Sequence, residues 1–160
     1  MRVLGIDPST KSGLVLLEGD KPARTGVLTV PKLKGVARLS EIAQRFSDYL
    51  DELTEVDVIA MEGYAYANAY TLATLVEIGA VFRLELYRRK LPCYIVPPSV
   101  VKKFATGKGN SKKPEVASAV QSRWGFTDPS DDVIDAYVLA RIAEQMALGT
   151  QPLIGVEILS

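Results

Sequence analysis

Val58-Ile59-Ala60-Met61-Glu62 is the stretch that decides the fold class: a near-continuous apolar run that closes on an acid. A strand of this kind is expected where helices cover both faces of a sheet. A second run, Val3-Leu4-Gly5-Ile6-Asp7, has the same form. A third, Asp132-Val133-Ile134-Asp135-Ala136, sets two acids among apolar neighbours. Moving charge out of water is costly unless something compensates for it. Acids converging from three apolar segments need a cation, and a hard divalent metal suits carboxylate oxygens best.

Working outward, 2–7 reads as a strand, and 13–19 and 24–30 as two antiparallel strands about a Gly19-Asp20-Lys21-Pro22 turn. Val36, Leu39, Ile42, Ala43, Phe46, Tyr49, Leu50 and Leu53 recur at helical spacing, which predicts a helix over 36–53. A long helix follows over about 68–89, then a strand at 93–97 ended by Pro97-Pro98. A short helix over 99–105 leads into the Gly107-Lys108-Gly109-Asn110 loop, and helices follow over 112–123 and 131–148. The pattern is α/β: one domain over 1–160 with a mixed sheet. The apolar stretch Pro152 to Leu159, within a possible extension over 150–160, is expected to add a strand or dock on a partner.

At 160 residues the chain is long enough to bury a proper core. No apolar stretch approaches the roughly 18 residues of a membrane span, and the start reads as a strand rather than a leader. The lone Cys93 forms no intramolecular disulfide and reads as a small buried strand residue, so a cytoplasmic location is expected. There is no histidine. That removes Ser-His-Asp and Cys-His catalysis, histidine zinc sites and imidazole proton shuttles. The net charge of zero hides an uneven spread. Residues 83–113 carry nine basic side chains against Glu85, while 41–62 carry seven acids against Arg45. The first of these is a candidate polyanion-binding face.

Asp7 and Glu62 both end strands; as parallel neighbours they would share the carboxyl edge of the sheet, where α/β proteins build sites. Asp132 and Asp135, three apart, share a helix face. Asp128-Pro129-Ser130-Asp131 reads as a cap, with Pro129 first in the helix and Asp131 as the reciprocal partner. That leaves Asp132 and Asp135 as ligands, although a shift of one residue would bring Asp131 into contention. Lys112 and Lys113 fall in the first turn of a helix capped by Ser111, where cations oppose the helix dipole. Such a broken local rule points to an anion site. Lys102 is brought close by the Gly107-Lys108-Gly109 loop, which lacks the spacing of a P-loop. Carboxylates beside a phosphate-gripping strip suggest phosphodiester hydrolysis with two metals about 4 Å apart. The metals would also reverse the local sign of charge.

From Ala67 to Phe82 the only charge is Glu77. A helix apolar all round must be covered all round, so a second subunit is expected over its outer side. Gly79 in mid-helix costs ~1 kcal/mol against alanine, which is tolerable where another backbone packs close.

With these residues in order, the chain resembles the RuvC family of Holliday-junction resolvases, especially its compact phage-type members. Leu4-Gly5-Ile6-Asp7-Pro8 is similar to the family's opening strand, Met61-Glu62 to its second acid, and Asp132-Val133-Ile134-Asp135-Ala136 to its closing helix. Val101-Lys102, Gly107-Lys108-Gly109 and Lys113 are similar to its basic loop and DNA-contacting lysines. The resemblance implies an RNase H-like fold, a mixed sheet with its first three strands antiparallel and the rest parallel, flanked by helices, and a homodimer joined through the 68–89 helix, with Leu72, Leu75, Gly79 and Phe82 at the interface. It implies paired nicking of four-way DNA junctions dependent on Mg²⁺ or Mn²⁺, with two ions per site. Asp7, Glu62, Asp132 and Asp135 would hold the metals. Lys102, Lys108, Lys112 and Lys113 would bind DNA. Two departures stand out. Ser9 follows the Asp-Pro where some members have glycine. Ala65 occupies the position where members often place a stacking phenylalanine, with Tyr64 and Tyr66 beside it to offer a ring to a base. Action on forks, flaps or RNA-containing substrates, or binding without cutting, is the alternative. An actin-like phosphotransferase, suggested by Gly5-Ile6-Asp7-Pro8-Ser9-Thr10, would need a second lobe that 160 residues do not supply.

Overall fold

The structure is a computed structural model that describes residues 1–30, 32–64, 69–149, 153 and 155–159, which leaves Tyr66 outside the described residues. Its strands are β1 (Arg2–Asp7), β2 (Lys11–Glu18), β3 (Lys21–Thr29), β4 (Val58–Glu62), β5 (Cys93–Val96) and β6 (Glu157–Leu159). They form one sheet in the order β3-β2-β1-β4-β5-β6. The first three strands are antiparallel, and β1, β4 and β5 run parallel. The end of the chain does add a strand, since β6 pairs antiparallel with β5. The β2–β3 hairpin turns at Gly19, whose φ of +59° lies in the left-handed region that glycine adopts without strain.

Side chains alternate across the sheet and sort the core into two layers. Val3, Val15, Leu17, Val58, Ala60 and Val96 face α5 (Asp131–Leu148), with α3 (Pro98–Thr106) and α4 (Lys113–Trp124) packed outside it. Leu4, Ile6, Leu14, Leu16, Ile59, Met61, Cys93 and Ile95 face α1 (Gly35–Asp51) and α2 (Ala69–Arg88). Cys93 is buried, as expected, and burial pushes its thiol up to about 12.

On the second face α1 and α2 are tied by the Phe46–Phe82 stack, with ring centroids 4.2 Å apart. Phe82 is fully buried there, which corrects its expected place in a subunit interface. Gly79 likewise meets its own chain: a Cβ there would lie 3.0 Å from the Tyr64 ring. Leu75 and Gly79 line a small crevice with Pro8, Glu62, Gly63 and Tyr64, and Leu72 lines a neighbouring cleft with Tyr64 and Val76. The side of α2 that faces solvent carries Ala73, Val76, Ala80, Leu84 and Tyr87 instead.

Both helix starts expected near the site are corrected. Ser111 does not cap α4, because its hydroxyl donates to the Lys108 carbonyl (3.0 Å) and lies 2.7 Å from Thr106 Oγ1. Lys112 occupies the N-cap, and its amide donates to Glu115 Oε2 at 2.6 Å. For α5, Pro129 lies outside the helix and Ser130 is the N-cap. Asp128 Oδ1 accepts the Ser130 amide (2.8 Å), and Asp131, the first helical residue, pairs with Lys113 at 3.6 Å.

Candidate active site

The position of α5 follows from two glycines. A Cβ at Gly5 would lie 1.9 Å from the Ala136 carbonyl oxygen, and one at Gly13 would lie 1.9 Å from the Asp132 carbonyl oxygen. Real Cβ atoms do not approach backbone so closely, so α5 can lie directly on the sheet only because both residues lack one. Gly13 is the register partner of Asp7 across β1 and β2. The contact that seats Asp132 is therefore made one strand away from Asp7. On the other side of β1, Ile6 is paired with Met61, so Asp7 and Glu62 come next to each other at the carboxyl ends of parallel strands. Adjacent strands lie about 4.8 Å apart. By the alternation of the sheet, both acids point to the α5 face.

The four acids form one electrostatic cluster. Burial is the largest cause holding the Asp7 carboxyl well above its ordinary range, followed by the charges of Glu62, Asp135 and Asp132. Burial, and then Asp135, pushes Glu62 up to about 8. Asp135 is raised to about 6, again chiefly by burial. Asp132 is raised by burial and sits nearer the rim, where Lys113, Asp131 and Lys11 are its charged neighbours. Asp7 is only 8% exposed. Burial is the largest cause for all four carboxylates, and neighbouring charges come next.

Two of the expected lysines join the cluster. Lys102, on α3, and Lys113, in the first turn of α4, both favour the ionised forms of Glu62 and Asp135. The loop between those helices is shaped by Thr106, whose Oγ1 accepts the Lys108 amide at 3.1 Å. Lys108 and Lys112 are exposed farther along the same strip. Tyr64 follows β4 and is 40% exposed, with the Arg83 guanidinium 4.4 Å above its ring. Sequence reasoning missed Lys11, because the strand that carries it begins two residues earlier than the apolar pattern suggests.

The donor set suits a hard divalent cation: four carboxylates, no soft ligand, and two lysines that leave the site net negative. The acids are not closed into a ready-made cage, since among the described residues no three acidic, cysteine or histidine side chains converge on one point. Mg²⁺ does not require such a cage. It keeps several waters and is usually bound through one or two carboxylates plus substrate phosphates. The chemistry of the site therefore fits the metal.

The sequence profile of the crossover junction endodeoxyribonuclease RuvC matches residues 3–142. The chain belongs to the RuvC family. A crossover junction endodeoxyribonuclease RuvC of Frankia alni is 35% identical over 151 residues, which cover 88% of this chain and 76% of that protein. Thermus thermophilus RuvC, solved in complex with a Holliday junction substrate, superposes with a TM-score of 0.76 at 24% identity, covering 94% of this chain and 97% of that one. The yeast mitochondrial Holliday junction resolvase Ydc2 superposes at 0.61 with 14% identity, over 87% and 75% of the two chains. These likenesses show the RNase H-like fold expected for this RuvC-family chain, and the family is one of metal-dependent nucleases.

Proposed function

We propose that this chain resolves four-way DNA junctions by paired, metal-dependent hydrolysis of phosphodiester bonds, with Asp7, Glu62, Asp132 and Asp135 as the metal-holding acids. The observation that carries the reading is that these acids share the carboxyl edge of the sheet and act on one another there, beside Lys102 and Lys113. Mg²⁺ is the ion proposed, with Mn²⁺ able to replace it. Two ions sharing the four acids is the arrangement proposed. Bound there, divalent ions supply an activated water and offset charge developing on the phosphate. Lys102 and Lys113 hold phosphate oxygens as point charges, and Lys108 and Lys112 extend the grip along the strand. Tyr64, braced by Arg83 and Gly79, offers its remaining face to a base.

Paired nicking needs two sites, and the bare side of α2 supports a homodimer. Ala73, Val76, Ala80, Leu84 and Tyr87 are exposed at the three- and four-residue spacing of a helix seam. A second copy covering that stripe would satisfy a helix that the described residues cover on one side only. No helix among the described residues is long and apolar enough to cross a membrane. A cytoplasmic site of action is proposed with the DNA substrate.

The test incubates a mobile four-way junction, a fork, a duplex and an RNA–DNA hybrid with the protein in Mg²⁺ or EDTA. Symmetric nicks in the junction alone are expected, and only with metal. D7N should bind the junction but cleave it more than about 100-fold more slowly, above the cost of losing a mere supporting partner. Wild-type cleavage by D7N would reject the assignment, and preferential cutting of the hybrid would move the substrate class to RNA.

A further inference from the structure

Lys11 opens β2, and alternation places it on the same face as Gly13, Val15 and Leu17. Val15 and Leu17 pack in the layer that contains α5, and Gly13 touches the backbone of Asp132. Lys11 therefore stands two residues, roughly 7 Å, beyond Gly13, just past the N-terminus of α5. Its ammonium is exposed and acts on Asp132 from that side. Lys102 approaches from the other side, on α3 after β5, and acts on Glu62 and Asp135, while Lys113, paired with Asp131, acts on Asp132 as well as on those two acids.

The backbone that carries Lys11 is fixed before any substrate arrives. Ser12 is fully buried; its Oγ accepts the Ser9 amide (3.0 Å) and donates to the Ser9 carbonyl (2.8 Å). Ser9 Oγ accepts the Lys11 amide at 3.0 Å, and the Thr10 carbonyl accepts the Val30 amide at 3.3 Å. Ser9, which follows Asp7-Pro8, thus supplies the hydroxyl that pins Lys11. A hydrogen-bonded turn at the end of a central strand is a rigid place from which to present a charge.

We propose that Lys11 is a further substrate-positioning residue that grips a backbone phosphate of the cleaved strand on the β2 side of the acids, across from Lys102 on α3, with the Ser9–Ser12 turn holding it there. This rests on the nuclease reading of the same site. With lysines on both flanks, the strand is spanned across the carboxylates rather than held from one side. A positive charge at position 11 is what matters, so arginine serves and a neutral side chain does not.

The test compares wild type, K11A, K11R, S12A and K113A on a four-way junction, measuring affinity against salt in Ca²⁺ and cleavage in Mg²⁺. K11A should keep the wild-type melting temperature, lower the cleavage efficiency about tenfold, and reduce the salt slope by about 0.7 to 0.9, as expected for one lost phosphate contact. K11R should restore both quantities. S12A should slow cleavage with the wild-type salt slope, because it loosens the turn and keeps the charge. A wild-type rate and slope for K11A, alongside a flattened slope for K113A, would overturn the role of Lys11 and leave the nuclease reading intact. If neither variant changes binding and the wild type cuts no junction, both readings fail.

Discussion

The two faces of the sheet are each covered by a helix without a clear polar side, yet the two helices end differently. On one face α5 buries ten of its residues, from Val133 to Ala143, because the sheet lies beneath it and α3 and α4 lie outside it. On the other face α2 buries Ile78, Phe82 and Leu86 against the sheet and α1, and leaves Val76, Leu84 and Tyr87 at 37%, 49% and 61% exposure. A helix that is apolar all round needs two layers of partners. For α5 the chain supplies both, which makes a frame stiff enough to hold like charges together. For α2 it supplies one, which leaves a surface for another copy.

The largest expected effect comes from breaking the stiff face at its tightest contact. Gly13→Ala would drive a Cβ into the Asp132 carbonyl and lift the first turn of α5 away from Asp7. Displacement of a catalytic group by an ångström can cost about 100-fold in rate, and a cleavage loss of that size is expected with junction binding retained. Gly26→Ala, on β3 with nothing within 4 Å of the new methyl, is the control that should cleave normally. Equal activity in the two variants would show that α5 is not seated by Gly13.

A smaller effect, on the same face, is set by pH. Glu62 titrates near 8 in the folded chain against an ordinary 4.5, and Asp135 near 6 against 3.8. Between those limits the native state keeps protons that the unfolded chain has released, so stability falls as pH rises. The metal-free protein should be most stable below about pH 4 to 5 as far as these groups are concerned, and lose that contribution up to about pH 8. Divalent ions compete with the same protons, so added Mg²⁺ should raise the melting temperature more at pH 8 than at pH 5, by at least about 2 °C. D7N should shrink the pH dependence by removing the Asp7 carboxyl, which burial and the charges of Glu62, Asp135 and Asp132 hold well above its ordinary range. A melting temperature independent of both pH and metal would mean that the acids are not coupled as the geometry indicates.

The stiff face was also the more legible one. Asp7 and Glu62 could be placed because an acid closing an apolar run marks a strand end, and parallel strands put such ends side by side. Asp132 and Asp135 followed from helical spacing. The caps were misread because several hydroxyls and carboxylates competed for the same amides: Thr106 and Lys108 engage Ser111, and Asp128 turns to Ser130 rather than into the helix. Lys11 escaped notice because Lys11 and Ser12 are polar and become strand only through pairing with Thr29 and Leu28 of β3. On α2 the obstacle was different. Apolar residues on every side give no phase, so Phe82 and Gly79 were as plausible an outer face as Val76 and Leu84. Only the packing of Phe46 and Tyr64 distinguishes them.

The smallest effect on the site itself is expected from the open face. Leu84 is half exposed toward the C-terminal end of the α2 stripe and outside the buried Ile78-Phe82-Leu86 row. Leu84→Glu should change the stability of the isolated fold by no more than about 0.5 kcal/mol, as for an ordinary surface substitution. Placed against the same stripe of a second copy, however, two carboxylates would be desolvated without partners. Sedimentation should therefore show a dimer for wild type and a monomer for the variant. Single-strand nicking of a junction should persist in the variant while coincident nicking of both strands is lost. A variant that still sediments as a dimer would place the interface elsewhere, and would leave the bare side of α2 without the partner that its composition demands.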